Sequence, residues 1–289
     1  MKILRTFLIS SFACFAVTHP LAAATFGKFT YQETQNGTAI WITRYTGNSN
    51  GTVTIPDTID AKPVVRIGNN AFRNRKLTGV NIPTSVTSMG DYAFFRCQYL
   101  ADVTLSPHVT RIGRYAFSGC RALTEVTIPA DAFLGYGAFS DCKALTRATF
   151  SPGTIRTGEG TFRNCKRLTD ITLPASITTI SSGAFRNCDG LIGINLPPNV
   201  TRIADNAFYD CDALTEITLP QNVGSIGNRV FYSCNFLTSA TFLGNAPEVG
   251  NDVFHDTADE FSVYFINGNS GFSSPTWNGY PAIGLDEAP

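Results

Sequence analysis

The sequence predicts a solenoid: coils of 22 or 23 residues, mostly β with short helical turns, stacked on one shared core. Three recurrences predict it. Phe returns at 72, 94, 117, 139, 162, 185, 208, 231 and 254. Cys follows three positions later at 97, 120, 142, 165, 188, 211 and 234, with Arg75 and Thr257 in its place at the two ends. Leu completes the frame at 77, 100, 123, 145, 168, 191, 214 and 237. A single coil cannot bury its own apolar edge, so coils that share a register must stack.

Residues 1–24 read as a secretory signal peptide. Lys2 and Arg5 form a basic start, Phe7 to Val17 an apolar stretch, and Ala22-Ala23-Ala24 a cleavage site before Thr25. The apolar stretch is too short to span a bilayer. Lipid attachment at Cys14 is an alternative, but "SFAC" matches a lipobox poorly and apolar residues continue past it. Without Lys2 and Arg5 the chain has 20 basic and 22 acidic residues, a net charge near −2. Such balance, with only 15% of residues charged, argues against a nucleic-acid partner. No later stretch is a transmembrane candidate. The expected product is a soluble monomer, secreted or held at the cell surface, with the periplasm as the alternative.

Residues 25–52 hold two alternating runs, "FGKFTYQ" and "TAIWITRY", around Gln35-Asn36-Gly37. Asn-Gly favours a hairpin, so this segment is expected to cap the stack, with Trp41 as its plug. Residues 53–265 are the repeats. In one unit Leu214, Ile217 and Leu219 point one way and Thr218 the other, the alternation of a short strand that Pro220 ends. Val200, Ile203, Phe208 and Cys211, spaced by three to five residues, then suit a bend and one helical turn. The stretch "IPADAFLGYGAF", 128–139, is one residue short, with Ala132 or Phe133 and Leu134 replacing the usual Val and Ile. A kink is expected there. Residues 266–289 turn Gly/Asn/Ser-rich and then present Trp277, Tyr280, Pro281 and Ile283, which read as a C-terminal cap.

The opening L-x-x-L-x-L and the unit "LTxVTIPxxVTxIGxxAFxxC" resemble the BspA-like leucine-rich repeat family of bacterial secreted and surface proteins. The resemblance covers about 53–265, and "PVVRIGNNAF" and "GFSSPTWNGYPAIG" look like the family's flanking pieces. It implies a right-handed leucine-rich-repeat solenoid of about nine or ten coils with a parallel strand ladder. It also implies roles in adhesion or protein recognition.

Few residues suggest chemistry. Seven mature cysteines in one repeat slot lack the short C-x₂-C spacing that a metal site needs, and read as a buried apolar column. His108 and His255 lie far apart in the register, so no catalytic residue, cofactor or metal is expected. Asp102, Glu125, Asp170 and Glu216 share one slot before the strand apolar residue. Adjacent strands lie roughly 4.8 Å apart, so Asp102 and Glu125 raise the alternative of a carbohydrate-active β-solenoid enzyme. A solvated acidic stripe is the simpler reading. Arg66, Arg111, Arg156 and Arg202 share another slot, with Ser88, Thr179 and Ser225 between them, and suit carboxylates or sulfates on a partner. Arg121, Lys143, Arg163, Lys166, Arg167 and Arg186 crowd the turn side of the middle coils. Asn81, Thr104, Thr127, Thr149, Thr172, Asn195, Thr218 and Thr241 form the outward strand column, which raises a third reading, a structural or ice-binding surface. The leading expectation is an exported, non-enzymatic binding protein, whose concave strand face and basic convex loops meet a protein or glycan.

Overall fold

Inward Leu, Val, Ile and Phe in every coil leave the outward positions to Thr, Asn and charge, and the coils stack through three parallel sides. In the computed structural model, residues 23–47 and 50–287 are described. The result is a β-solenoid of about 11 turns with parallel strand ladders and almost no helix. The segment expected to be a signal peptide, save Ala23 and Ala24, lies outside the described residues.

The first side carries the anticipated strands. Thr52–Thr54, Gly79–Asn81 and Asp102–Val103 pair in parallel. Glu125–Ile128, Arg147–Phe150 and Asp170–Thr172 form a second group. Glu216–Leu219, Ser239–Phe242, Ser262–Ile266 and Tyr280–Leu285 form a third. Alternation is clean: Val126 and Ile128 are buried while Glu125 and Thr127 are exposed.

A second ladder, not anticipated, follows the Pro corner. Ile40–Tyr45, Lys62–Ile67, Ser88–Met89, Arg111–Ile112 and Phe133–Leu134 pair in parallel. Beyond a gap, Thr179–Ile180, Arg202–Ile203, Ser225–Ile226 and Glu248–Val249 continue it. The Arg slot lies along this ladder, Arg66, Arg111 and Arg202 in strands and Arg156 in a single bridge, whereas Arg121, Lys143, Arg163, Lys166, Arg167 and Arg186 lie in the turns of the third side.

The third side, expected as a helical turn, is a chain of linked turns. Ala93, Phe95 and Cys97 donate their N–H groups within the coil, to Gly90, Tyr92 and Phe94. Tyr92, Phe94 and Arg96 donate to Arg114, Ala116 and Ser118 of the next coil. A helix needs every N–H aimed along its own axis, and this alternation forbids that. Left-handed residues recur four apart, such as Asn70 with Asn74 and Asn206 with Asp210. Asn and Asp tolerate that conformation best after Gly, which accounts for their abundance here.

The Phe column forms the spine of the core. Phe72, Phe94, Phe117 and Phe139 stack with ring centroids 4.8, 5.0 and 5.1 Å apart. Spacing loosens to 6.0 Å between Phe139 and Phe162, where Phe150 meets Phe162 edge-on, and returns to 5.4 Å from Phe185 onward. Tyr45 stacks on Phe72 at the first end, while Phe261 and Tyr280 pack on Phe254 at the other. Trp41 does not plug the stack. It faces outward beneath the Arg66 guanidinium at 4.4 Å, and its neighbours Ile40 and Ile42 are the buried ones. Trp277 is buried against Phe242 and Phe272, and its Nε1 donates to the Gly271 carbonyl.

Candidate binding surface

The cysteine column builds rather than reacts. All seven described cysteines are free and buried. Each thiol lies within hydrogen-bond reach of the Phe carbonyl of the preceding coil, from Cys97 Sγ donating to Phe72 O at 3.0 Å to Cys234 Sγ donating to Phe208 O at 3.1 Å. Cysteine is thus a small apolar residue with one weak donor that joins adjacent coils. Burial pushes the Cys97, Cys142 and Cys234 thiols up to about 12, so they stay protonated and unreactive.

The outward slots fall on two faces of opposite character. On the first ladder, Asp102, Glu125, Asp170 and Glu216 are all exposed in one row with Arg147. Arg147 Nε donates to Asp170 Oδ2 at 2.7 Å, so the one cation of this stretch is already held. Asp102 and Glu125 line one shallow depression of about 210 Å³ with Arg147, but no hydrogen-bonded ladder joins their strands. The neighbouring column is less uniform than the sequence suggests. Asn81, Thr104, Thr127, Thr172, Asn195 and Thr218 are exposed, whereas Thr149 is half-buried and Thr241 is buried. Asn81 donates to the Thr54 hydroxyl at 3.0 Å. At Gly193 this ladder is interrupted. A Cβ there would meet open space, and Asp170, Asn195, Glu216 and Thr218 line a cavity of about 410 Å³ around it.

The second ladder presents the cations. Its outward slot runs Trp41, Arg66, Ser88, Arg111 and Phe133, then Arg156, Thr179, Arg202, Ser225 and Glu248. Arg111 reaches Asp91 only at 4.0 Å. Arg156 and Arg202 are exposed and make no ion pair within 4.0 Å among the described residues. The turn side balances itself differently. Lys166 Nζ holds Asp189 at 2.8 Å, a bond that raises the lysine pKa, and Arg186 lies 4.3 Å over the Tyr209 ring. Of the basic groups singled out in the sequence, Lys166 is ion-paired and Arg186 lies on a ring, whereas Arg156 and Arg202, like Arg121, Lys143 and Arg167 on the turn side, are exposed with no ion pair within 4.0 Å among the described residues.

The sequence missed two features that shape this surface. The second ladder rests on two-residue strands such as Arg111–Ile112, too short for alternation to register. The exposed pair Phe133 and Ile155 sits where the short coil disturbs the count. Among the described residues, no group of three or more His, Cys, Asp or Glu side chains is placed to hold a metal ion. Likewise, no helix is long and apolar enough to cross a membrane.

Comparison with known families and structures fits this geometry. The BspA type leucine rich repeat region matches residues 65–166 and 155–274, with 6 copies. A leucine-rich repeat protein from Bacteroides ovatus is similar at 28% identity, covering 84% of this chain and 72% of that one, with a TM-score of 0.70. A leucine rich cell surface protein of Faecalibacterium prausnitzii is 28% identical over 84% of this chain and 76% of its own, with a TM-score of 0.64. The T. pallidum leucine rich repeat protein is 32% identical over 75% and 91% of the two chains, with a TM-score of 0.55. No curated protein matches.

Proposed function

This chain belongs to the BspA-type leucine-rich repeat family, and from that premise we propose that it is an exported, non-enzymatic recognition protein that docks an anionic partner along its second ladder. A binding role fits the bacterial leucine-rich repeat proteins it resembles, one of them a cell surface protein. The observation that carries the choice of face is the exposed, unpaired Arg156 and Arg202 in line with Arg111, in one outward slot on either side of the gap in the second ladder. Planar guanidinium groups at regular intervals bind carboxylates in two-point fashion, and a solenoid holds them in fixed register. Secretion through residues 1–24 and a place at the cell surface, in adhesion, belong to the same proposal.

The test is a screen of the mature chain, 25–289, against matrix proteins and glycans at low and high ionic strength. Added salt shortens the Debye length to about 3 Å at 1 M, so binding through this row should collapse. Salt-indifferent binding would move the site to the Thr–Asn column of the first ladder.

The cavity at Gly193 favours one second reading, glycan binding or cleavage, because it brings Asp170, Asn195, Glu216 and Thr218 together. Asp170→Asn with Glu216→Gln should then abolish binding or turnover on a polysaccharide panel. Retained activity would remove this reading.

A further inference from the structure

The coil that is one residue short does more than kink the stack; it opens a pocket in the middle of the arginine row. In regular coils a Val or Ile closes the corner after the strand, and its N–H bonds back three residues. Val86 to Pro83, Val109 to Ser106, Ile177 to Pro174, Val200 to Pro197 and Val223 to Pro220 all do so. In two successive coils that position holds Ala132, bonded to Pro129, and Thr154, bonded to Ser151. Both are smaller or polar, and the Thr154 hydroxyl is spent on the Ser151 carbonyl at 2.9 Å. The corner is therefore underfilled twice in a row.

A cavity of about 320 Å³ results. Ala132, Leu134, Thr154 and Gly158 line its inner part, and all but Ala132, which is half-buried, are buried. Its rim carries Phe133 at 55% and Ile155 at 54% exposure; the Phe133 slot elsewhere holds Arg, Ser or Thr, save Trp41 and Glu248 at the ends, and the Ile155 slot holds Thr87, Thr110, Thr178 and Thr201 in other coils. Large apolar side chains exposed side by side beside an apolar hollow are uncommon on a soluble protein and mark a contact surface. The ladder is open at the same place. Phe133–Leu134 pairs with Arg111–Ile112 and Arg156 pairs with Thr179, and no strand pairing joins the two coils across the cavity. Cations flank it: Arg156 on the rim, and Arg111 with its guanidinium 5.6 Å over the Phe133 ring. Asp131 is the one carboxylate in the lining.

We infer that this pocket takes one apolar side chain, Leu- or Phe-sized, of an extended acidic polypeptide whose carboxylates lie along Arg111, Arg156 and Arg202. The inference rests on the recognition role proposed above and assigns its partner: protein, not glycan. The hollow is lined mainly by methyl, methylene and ring surface, its one hydroxyl, of Thr154, is already bonded, and the charged Asp131 and Arg156 are its only polar side chains besides, whereas a sugar ring needs several hydrogen-bond partners around it. Open strand edges on both sides suit an extended main chain, and alternate side chains then supply anchor and charge.

The experiment uses short fluorescent peptides rich in Asp and Glu, one with a central Leu and one with Ser in its place, titrated onto the mature chain. Dextran sulfate serves as the glycan probe. The Leu peptide should bind roughly tenfold more tightly than the Ser peptide, as expected for burying one such side chain. Phe133→Ser with Ile155→Thr, which restores the polar pattern of other coils, should erase that difference and leave the salt-dependent part. Ala132→Val with Thr154→Val fills the hollow from within, leaves the arginines untouched, and should do the same without lowering the melting temperature. Equal affinity for the Leu and Ser peptides, or a preference that survives both variants, would overturn the pocket while the arginine row stands. Dextran sulfate binding that depends on Phe133 and Ile155 would overturn the protein assignment in favour of a glycan. Failure of every anionic probe, in a chain that melts cooperatively, would overturn the pocket and the arginine row together.

Discussion

At the residue scale, the cysteine column shows what a sequence can and cannot say. Its regular slot and lack of metal spacing mark Cys97 to Cys234 as small buried residues. Why the slot prefers sulfur to a methyl group was not legible. The partner of each thiol is a backbone carbonyl in the coil below, such as Phe185 O for Cys211. One consequence is measurable. These thiols are raised from about 9 to about 12 in the folded chain because burial disfavours the thiolate. Below pH 9 both folded and unfolded chains hold them protonated, so their contribution to stability is complete. As pH climbs from about 9 toward 12 the unfolded chain ionises first, and stability is lost. Urea midpoints should therefore fall between about pH 9 and pH 12, and a Cys142→Ala, Cys234→Ala variant should show a shallower fall. An unchanged slope would show that other groups set the alkaline limit.

At the scale of the coil, the first strand was legible because Ile217 and Leu219 alternate with Glu216 and Thr218 over enough residues. Val200, Ile203, Phe208 and Cys211 recur at helix-like spacing, which predicts a helical turn where the chain forms linked turns. Spacing reports which side chains face inward, not where the N–H groups go. The recurrent Gly before the turns has a separate cause. A Cβ on Gly113 would run into the Gly90 carbonyl carbon, so the coils approach too closely there for a side chain. Gly113→Ala should destabilise the protein by about 1–3 kcal/mol, the usual cost of overpacking. Gly193→Ala, which meets open space, should shift the denaturation midpoint little. The reverse order would mean that conformation, not contact, selects these glycines.

At the scale of the molecule, a stack open at both ends must cover its last apolar rungs. Tyr45 on Phe72 and Tyr280 on Phe254 do this at the two ends of the Phe column, and Trp277 covers Phe242 beside it. Trp277→Ala should cost roughly 3–5 kcal/mol by urea denaturation, as for other buried aromatics. A loss near zero would mean that the tail contributes nothing to closing the stack. The repeat frame could be read from Phe, Cys and Leu alone, and the nine or ten coils expected come close to the about 11 turns observed. The distribution of charge over two faces could not, since it depends on a second ladder whose strands from Ser88 onward are only two residues long.

Inward residues of each coil build the solenoid, and recognition of the partner is proposed to fall to outward Arg residues of the second ladder. It is tested most directly by Arg111→Ser, Arg156→Ser and Arg202→Ser in one chain, a residue type that Ser88 and Ser225 already show to fit this slot. The measurement is partner affinity beside the melting temperature. The melting temperature should stay unchanged within about 2–4 °C, the shift that about 1 kcal/mol produces in a domain of this size, while salt-sensitive binding is lost. Undiminished binding in a normally folded variant would contradict it.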